Sequence, residues 1–141
     1  ITELYISEGI THVEDLGHPS VTSITLPSTL KSIGDSCFSS TAITEIVIPE
    51  GVETIADCAF IWCDQLTSIT FPSTLKSIGM AAFEAKEVPE WESGNKVKEV
   101  FIPKSVTFID YGAFYYRYGI DIILEDGINT KGFEEGWDDI Y

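Results

Sequence analysis

The stretch VTSITLPSTLKSIGDSCF, residues 21–38, decides the fold, because it returns as LTSITFPSTLKSIGMAAF at residues 66–83. Thirteen of the eighteen positions are identical. Two looser copies keep the pattern, ITEIVIPEGVETIADCAF at 43–60 and VKEVFIPKSVTFIDYGAF at 97–114. Self-similarity at a fixed period marks a stacked repeat, in which each unit buries its apolar side only against its neighbours. Ile24, Ile46, Ile69 and Val100 share one slot, so the steps are 46 − 24 = 22, 69 − 46 = 23 and 100 − 69 = 31 residues. The third step is longer by 31 − 23 = 8 residues, an insertion within Glu84 to Lys96.

Each copy has a physical reading. Ile24-Thr25-Leu26 alternates apolar, polar, apolar, the pattern of a short strand with one buried face. Pro27 ends it, since proline brings no donor to a ladder. Leu30 and Ile33 return two more apolar anchors. Gly34-Asp35-Ser36 then makes a turn into a brief helical piece ending at Phe38. Asp15, Asp35 and Asp57 recur at one position and read as caps of that piece, with a calcium-binding carboxylate ladder as the competing reading. Stacking sets the strands in a parallel sheet at about 4.8 Å spacing over a column of Ile, Leu and Phe.

The end copies are degenerate. The first keeps Leu4, Ile6, Ile10 and Val13 but has Ser7 for Pro and His18 in the Phe slot. The last starts with Ile122, Leu124, Gly127 and Ile128, misses its Phe slot, and runs into an acidic tail over 132–141. One domain over 1–141 is expected, with copies near 1–20, 21–42, 43–65, 66–96 (insertion 84–96), 97–119 and a C-terminal cap at 120–141.

The unit LTSITFPSTLKSIGMAAF resembles the BspA-like leucine-rich-repeat family of bacterial surface proteins. The Ile-x-Leu/Ile-Pro strand, the Leu/Val-x-x-Ile step and the Ala/Cys-Phe ending carry the resemblance, which runs from Ile1 to about Ile128. The expected fold is an α/β-type or mainly β leucine-rich-repeat solenoid. It is a right-handed arc of about six coils, with a parallel sheet on one face and short helical or irregular turns on the other. The resemblance implies an adhesin-like molecule, extracellular or on a cell surface, with a protein partner such as a host matrix or plasma protein. A structural spacer without a ligand of its own is the alternative.

Bulk properties narrow the function. The 141 residues are 44% hydrophobic and 22% charged, a globular composition. Eight Lys and Arg face 23 Asp and Glu, a formal charge of −15. That argues against nucleic acid and against an anionic membrane surface, and it suits a basic protein partner or divalent cations. No apolar run reaches about 18 residues, so no membrane insertion is expected. The start at Ile1 reads as a mature or trimmed fragment. Cys37, Cys58 and Cys63 are a poor disulfide framework. Cys37 and Cys58 are expected in inward slots as buried thiols, with one bridge and one free thiol as the alternative.

The sequence contains no GxSxG, HExxH, P-loop or GxGxxG motif, and its two histidines, His12 and His18, lie in one copy. A non-enzymatic chain with no cofactor or metal site is the expectation. Its oligomeric state stays open. With Ile24 and Leu26 inward, the same register turns Tyr5, Thr25, Val47, Thr70, Phe101 and Ile123 outward. Beside them run Glu3, Ser23, Glu45, Ser68, Glu99 and Asp121. An apolar stripe with acidic edges suits a protein contact, although a sheet face also tolerates Val, Thr and Phe as good strand formers. The candidate partner-binding residues are Tyr5, Thr25, Glu45, Val47, Thr70, Glu99, Phe101, Ile123 and, on the insertion, Trp91. Trp91 is either a contact anchor or, with Val88, a cover over the local core. Tyr111, Tyr115, Tyr116, Arg117 and Tyr118 form a cluster that either recognises a ligand through its ring faces or covers the flank.

Overall fold

The computed structural model describes residues 2–139. In chain order the strands alternate between two faces of a solenoid of about six turns. The front strands are β1 (Thr2–Tyr5), β3 (Val21–Thr25), β5 (Glu45–Val47), β7 (Ser68–Thr70), β9 (Glu99–Ile102) and β11 (Asp121–Leu124). The back strands are β2 (His12–Val13), β4 (Ser32–Ile33), β6 (Thr54–Ile55), β8 (Ser77–Ile78) and β10 (Phe108–Ile109). All pairings are parallel. Leu-x-x-Ile therefore does more than supply anchors: its Ile ends a strand of its own. The brief helical pieces are turns, and the described residues contain only two three-residue 3-10 segments, Glu90–Glu92 and Thr130–Gly132. Asp57 accordingly caps no helix. Its Oδ1 accepts from the Met80 N–H at 2.9 Å, across to the next coil.

The back strands form one five-stranded ladder. Val13, Ile33, Ile55, Ile78 and Ile109 stand in register along it and are buried. Past the turns, Phe38, Phe60, Phe83 and Phe114 form a second buried column. Their rings stack at 5.3, 5.0 and 5.7 Å. The turn before each Phe holds a left-handed residue: Asp15, Ser36, Cys58, Ala81 and Gly112 have φ of 54, 52, 58, 53 and 63°. Only the last is glycine, and each of the others carries strain of about 1–2 kcal/mol that the stack must hold. Gly79 is fixed by close approach, because a Cβ there would lie 2.6 Å from the Ala56 carbonyl carbon.

Two expectations are corrected by this geometry. His18 is exposed; the Phe slot of the first coil belongs to Leu16. The Leu16 N–H bonds to the Cys37 carbonyl as the Phe38 N–H bonds to that of Ala59. The first turn is two residues shorter, so counting in register lands on the wrong residue. Cys58 lies in the left-handed column and is half-buried; the inward counterpart of Cys37 is Ala59. Cys37 and Cys63 are buried and all three thiols are free. In the last coil the back-ladder column continues through Phe133. The Glu134 N–H bonds to Ile109 as the Asp110 N–H bonds to Ile78, and Trp137 packs edge-on at 5.0 Å.

The front strands, by contrast, pair in twos: β1 with β3, β5 with β7, β9 with β11. The turn after each front strand explains the pairing. Coils one and three carry Glu-Gly there (Glu8-Gly9, Glu50-Gly51), and coils two and four carry Ser-Thr (Ser28-Thr29, Ser73-Thr74). The Glu8 carboxylate accepts from the Ser28 N–H at 2.9 Å and its hydroxyl at 2.8 Å. The Gly9 N–H donates to Thr29 Oγ1, which donates on to the Ile10 carbonyl. Glu50, Gly51, Ser73, Thr74 and Val52 repeat the arrangement. In the third pair the Glu125 carboxylate accepts from the Lys104 N–H. The structural unit is thus a clamped pair of coils.

Candidate functional site

The front face between clamped pairs is where the sheet opens. One groove of about 480 Å³ lies between β3 and β5, its walls including Ser23, Thr25, Glu45 and Val47. A second, of about 430 Å³, lies between β7 and β9, its walls including Thr70, Lys98, Glu99, Phe101 and Ile123. The insertion falls between the strands of this second seam. Seven of the sequence-derived candidates line these two grooves: Thr25, Glu45 and Val47 in one, and Thr70, Glu99, Phe101 and Ile123 in the other.

The register sets Tyr5 beside Thr25, Val47 beside Thr70 and Phe101 beside Ile123. Tyr5, Val47, Phe101 and Ile123 are 70, 61, 51 and 38% exposed. Tyr5 stands on β1, off both grooves. Their inward neighbours Ile46, Ile69 and Val100 are buried, so the same alternation that makes the core presents this column.

Trp91 is 85% exposed on the Glu90–Glu92 turn and lines neither groove. It does not cover the core. The insertion is nonetheless tied down. Asn95 Nδ2 donates to the carbonyls of Val97 and Tyr118, and Tyr118 Oη donates to that of Val88. Lys86 pairs with Asp64 through its ammonium at 3.8 Å and its backbone N–H at 3.2 Å.

The tyrosine cluster is real on one side only. Tyr115 and Tyr116 lie 4.3 Å apart, with Tyr111 at 6.1 Å from Tyr115 and Tyr118 at 6.3 Å from Tyr116. Burial, then the Glu87 carboxylate, push the Tyr116 phenol up to about 12. Arg117 is not part of that surface. It is fully buried, three residues after Phe114 as Cys63 is after Phe60 and Thr41 after Phe38. Nε donates to the Phe83 carbonyl at 2.8 Å and Nη2 to that of Cys63 at 3.1 Å. That offset was the signal that the sequence reading missed. Trp62 and Met80 on the turn side are further exposed apolar residues it passed over.

Among the described residues no three His, Cys, Asp or Glu side chains converge as a metal site, so Asp15, Asp35 and Asp57 form no calcium ladder there. No helix there is long and apolar enough to cross a membrane.

The family model described as the BspA type leucine rich repeat region matches residues 1–121 in six copies. No curated protein matches in sequence. Among solved structures, a leucine-rich repeat protein from Bacteroides ovatus superposes with a TM-score of 0.67 at 24% identity, covering 89% of this chain and 37% of that one. The pneumococcal vaccine antigen PcpA gives 0.69 at 24% identity, covering 89% and 31%. A leucine-rich repeat protein from Bacteroides capillosus gives 0.56 at 26% identity, covering 83% and 78%. The chain thus spans about a third of the first two structures.

Proposed function

We propose, from the premise that this chain belongs to the BspA type leucine-rich-repeat family, that it is a non-enzymatic protein-binding module of a bacterial cell surface. Its contact surface is the front column from Tyr5 to Ile123, centred on the two grooves. The partner is a protein with basic groups around an apolar patch, such as a host matrix or plasma protein. The observation that carries the reading is the exposure of Tyr5, Val47, Phe101 and Ile123 on one face beside Glu45 and Glu99. Apolar and aromatic anchors ringed by polar groups are the composition of protein interfaces. The charge of −15 favours a basic partner and speeds its encounter. Trp91 stands apart as a secondary anchor on the insertion.

The test is a Val47→Asp, Phe101→Asp double variant, measured by surface plasmon resonance against a panel of matrix and plasma proteins. Circular dichroism checks the fold. Loss of binding with an unchanged melting curve is the expected result; a folded double variant that binds as well as the parent removes the front column from consideration. The spacer reading draws support from the regular coil clamps, and a single saturable partner at micromolar affinity or better would end it.

A further inference from the structure

The turn side of the insertion holds a cavity of about 210 Å³, none of whose walls belongs to the front column. Asp64, Lys86, Glu92, Ser93, Asn95 and Arg117 are among its walls. Arg117 is fully buried, and its Nη1 has no hydrogen-bond partner among the described residues. The other edge of the guanidinium is spent on the Phe83 and Cys63 carbonyls, which satisfy N–H groups without neutralising the charge. Asp64 is the facing carboxylate, and it is already held by the Lys86 ammonium and N–H. Burial opposes the charge on Arg117, and Asp64 only partly supports it. A buried cation without a bonded anion is costly, and the unpartnered Nη1, which carries the guanidinium charge and two N–H groups, can donate a charge-assisted bond to a carboxylate oxygen.

The loop wall leaves room. A Cβ on Gly94 would meet nothing within 4 Å. Ser93 Oγ accepts from the Asn95 N–H, which leaves its hydroxyl hydrogen to donate. Lys86 stands 65% exposed as a second cation.

We propose that this cavity is a carboxylate-binding site, seating one carboxylate against Arg117 Nη1 with Lys86 and the Ser93 hydroxyl at its side. The source is either an acidic side chain of a bound peptide or a free carboxyl terminus. The site is independent of the front column. It also gives the insertion a role, because its far wall exists only through residues 84–96.

The test uses the ¹⁵N-labelled chain at neutral pH. Sodium acetate is titrated against sodium chloride of equal ionic strength and against acetamide, while the Arg117 Nε–H, Gly94 and Asn95 resonances are followed. Saturable shifts with acetate alone are expected. Lys86→Gln should weaken acetate binding several-fold and Asp64→Asn should tighten it several-fold, by adding and removing net negative charge at the mouth. Both positions are part-exposed, so the fold should survive.

Arg117→Met should abolish the shifts if it folds. Two peptides then separate the sources: one with an internal Glu and an amidated end, the other with no acidic side chain and a free end. Absence of any acetate-specific shift means the cavity holds only water and overturns the proposal. So does an equal response to acetamide, or binding by a folded Arg117→Met variant at parent strength. A parent that ignores acetate while Glu92→Gln lowers its melting temperature also overturns it, with Glu92 as the internal occupant.

Discussion

The two faces of this solenoid are built from the same coils by different rules. The back ladder runs unbroken through β2, β4, β6, β8 and β10, even across the insertion. The front strands are longer, yet they pair only in twos. The difference lies in what each face stacks. The back repeats one residue type, a buried Val or Ile at every coil, so any neighbour fits any other. In the first four coils the front turns alternate Glu-Gly with Ser-Thr, and the carboxylate there takes the hydroxyl and N–H of a Ser coil. Uniform apolar slots give continuity, whereas complementary polar slots give pairs, with seams between the pairs where a partner can reach the sheet.

The sharpest way to break the comparison is Phe83→Ala. Phe83 stacks on both Phe60 and Phe114 and is met edge-on by Phe71. Removing it should cost about 3–5 kcal/mol, read as a fall in the urea midpoint. Because the columns behind the back ladder are continuous, the loss should unfold the array as a whole and not one pair. A smaller effect is expected from the front clamp. Glu50→Ala or Ser73→Ala should each cost about 1 kcal/mol. A double-mutant cycle should show positive coupling between them, since both remove the bond from the Ser73 hydroxyl to Glu50. Additive losses would mean that the clamp does not define the pair.

The smallest effect is in acid. The Ser28 N–H, then its hydroxyl, hold the Glu8 carboxylate below its usual 4.5. A depressed carboxylate contributes stability that is complete above pH 4.5 and lost as pH falls through its folded value. Glu8→Gln should therefore remove part of the acid-side fall in melting temperature and change nothing in its slope near neutrality. Steepening below pH 4.5 in the variant would contradict the clamp's polarity.

Much of this was legible in the sequence. The Ile24, Ile33 and Phe38 slots follow from repeated spacing, and alternation alone turned Val47 and Phe101 outward. Spacing failed where a turn changed length, so His18 was read in the slot of Leu16. Composition failed where a long side chain entered a small slot: an arginine among four tyrosines reads as surface, yet Arg117 reaches under two coils to Cys63. The reading of Asp57 as a helix cap failed because its carboxylate serves the neighbouring coil at Met80, a contact no local window contains. Trp91 stayed outside because its turn buries nothing. The alternation of Glu-Gly with Ser-Thr was in view throughout. It carries meaning only once adjacent coils are known to touch there.

That alternation bears on how such an array can change length over generations. The strict copy of residues 21–38 begins again at 66, a step of 66 − 21 = 45 residues and two coils. A duplication or deletion of that size keeps each Glu-Gly turn facing a Ser-Thr turn. Loss of the second coil alone would bring the carboxylates of Glu8 and Glu50 together at one joint and leave Gly9 without the Thr29 oxygen that receives its N–H. Growth by twos is the inheritance this joint permits.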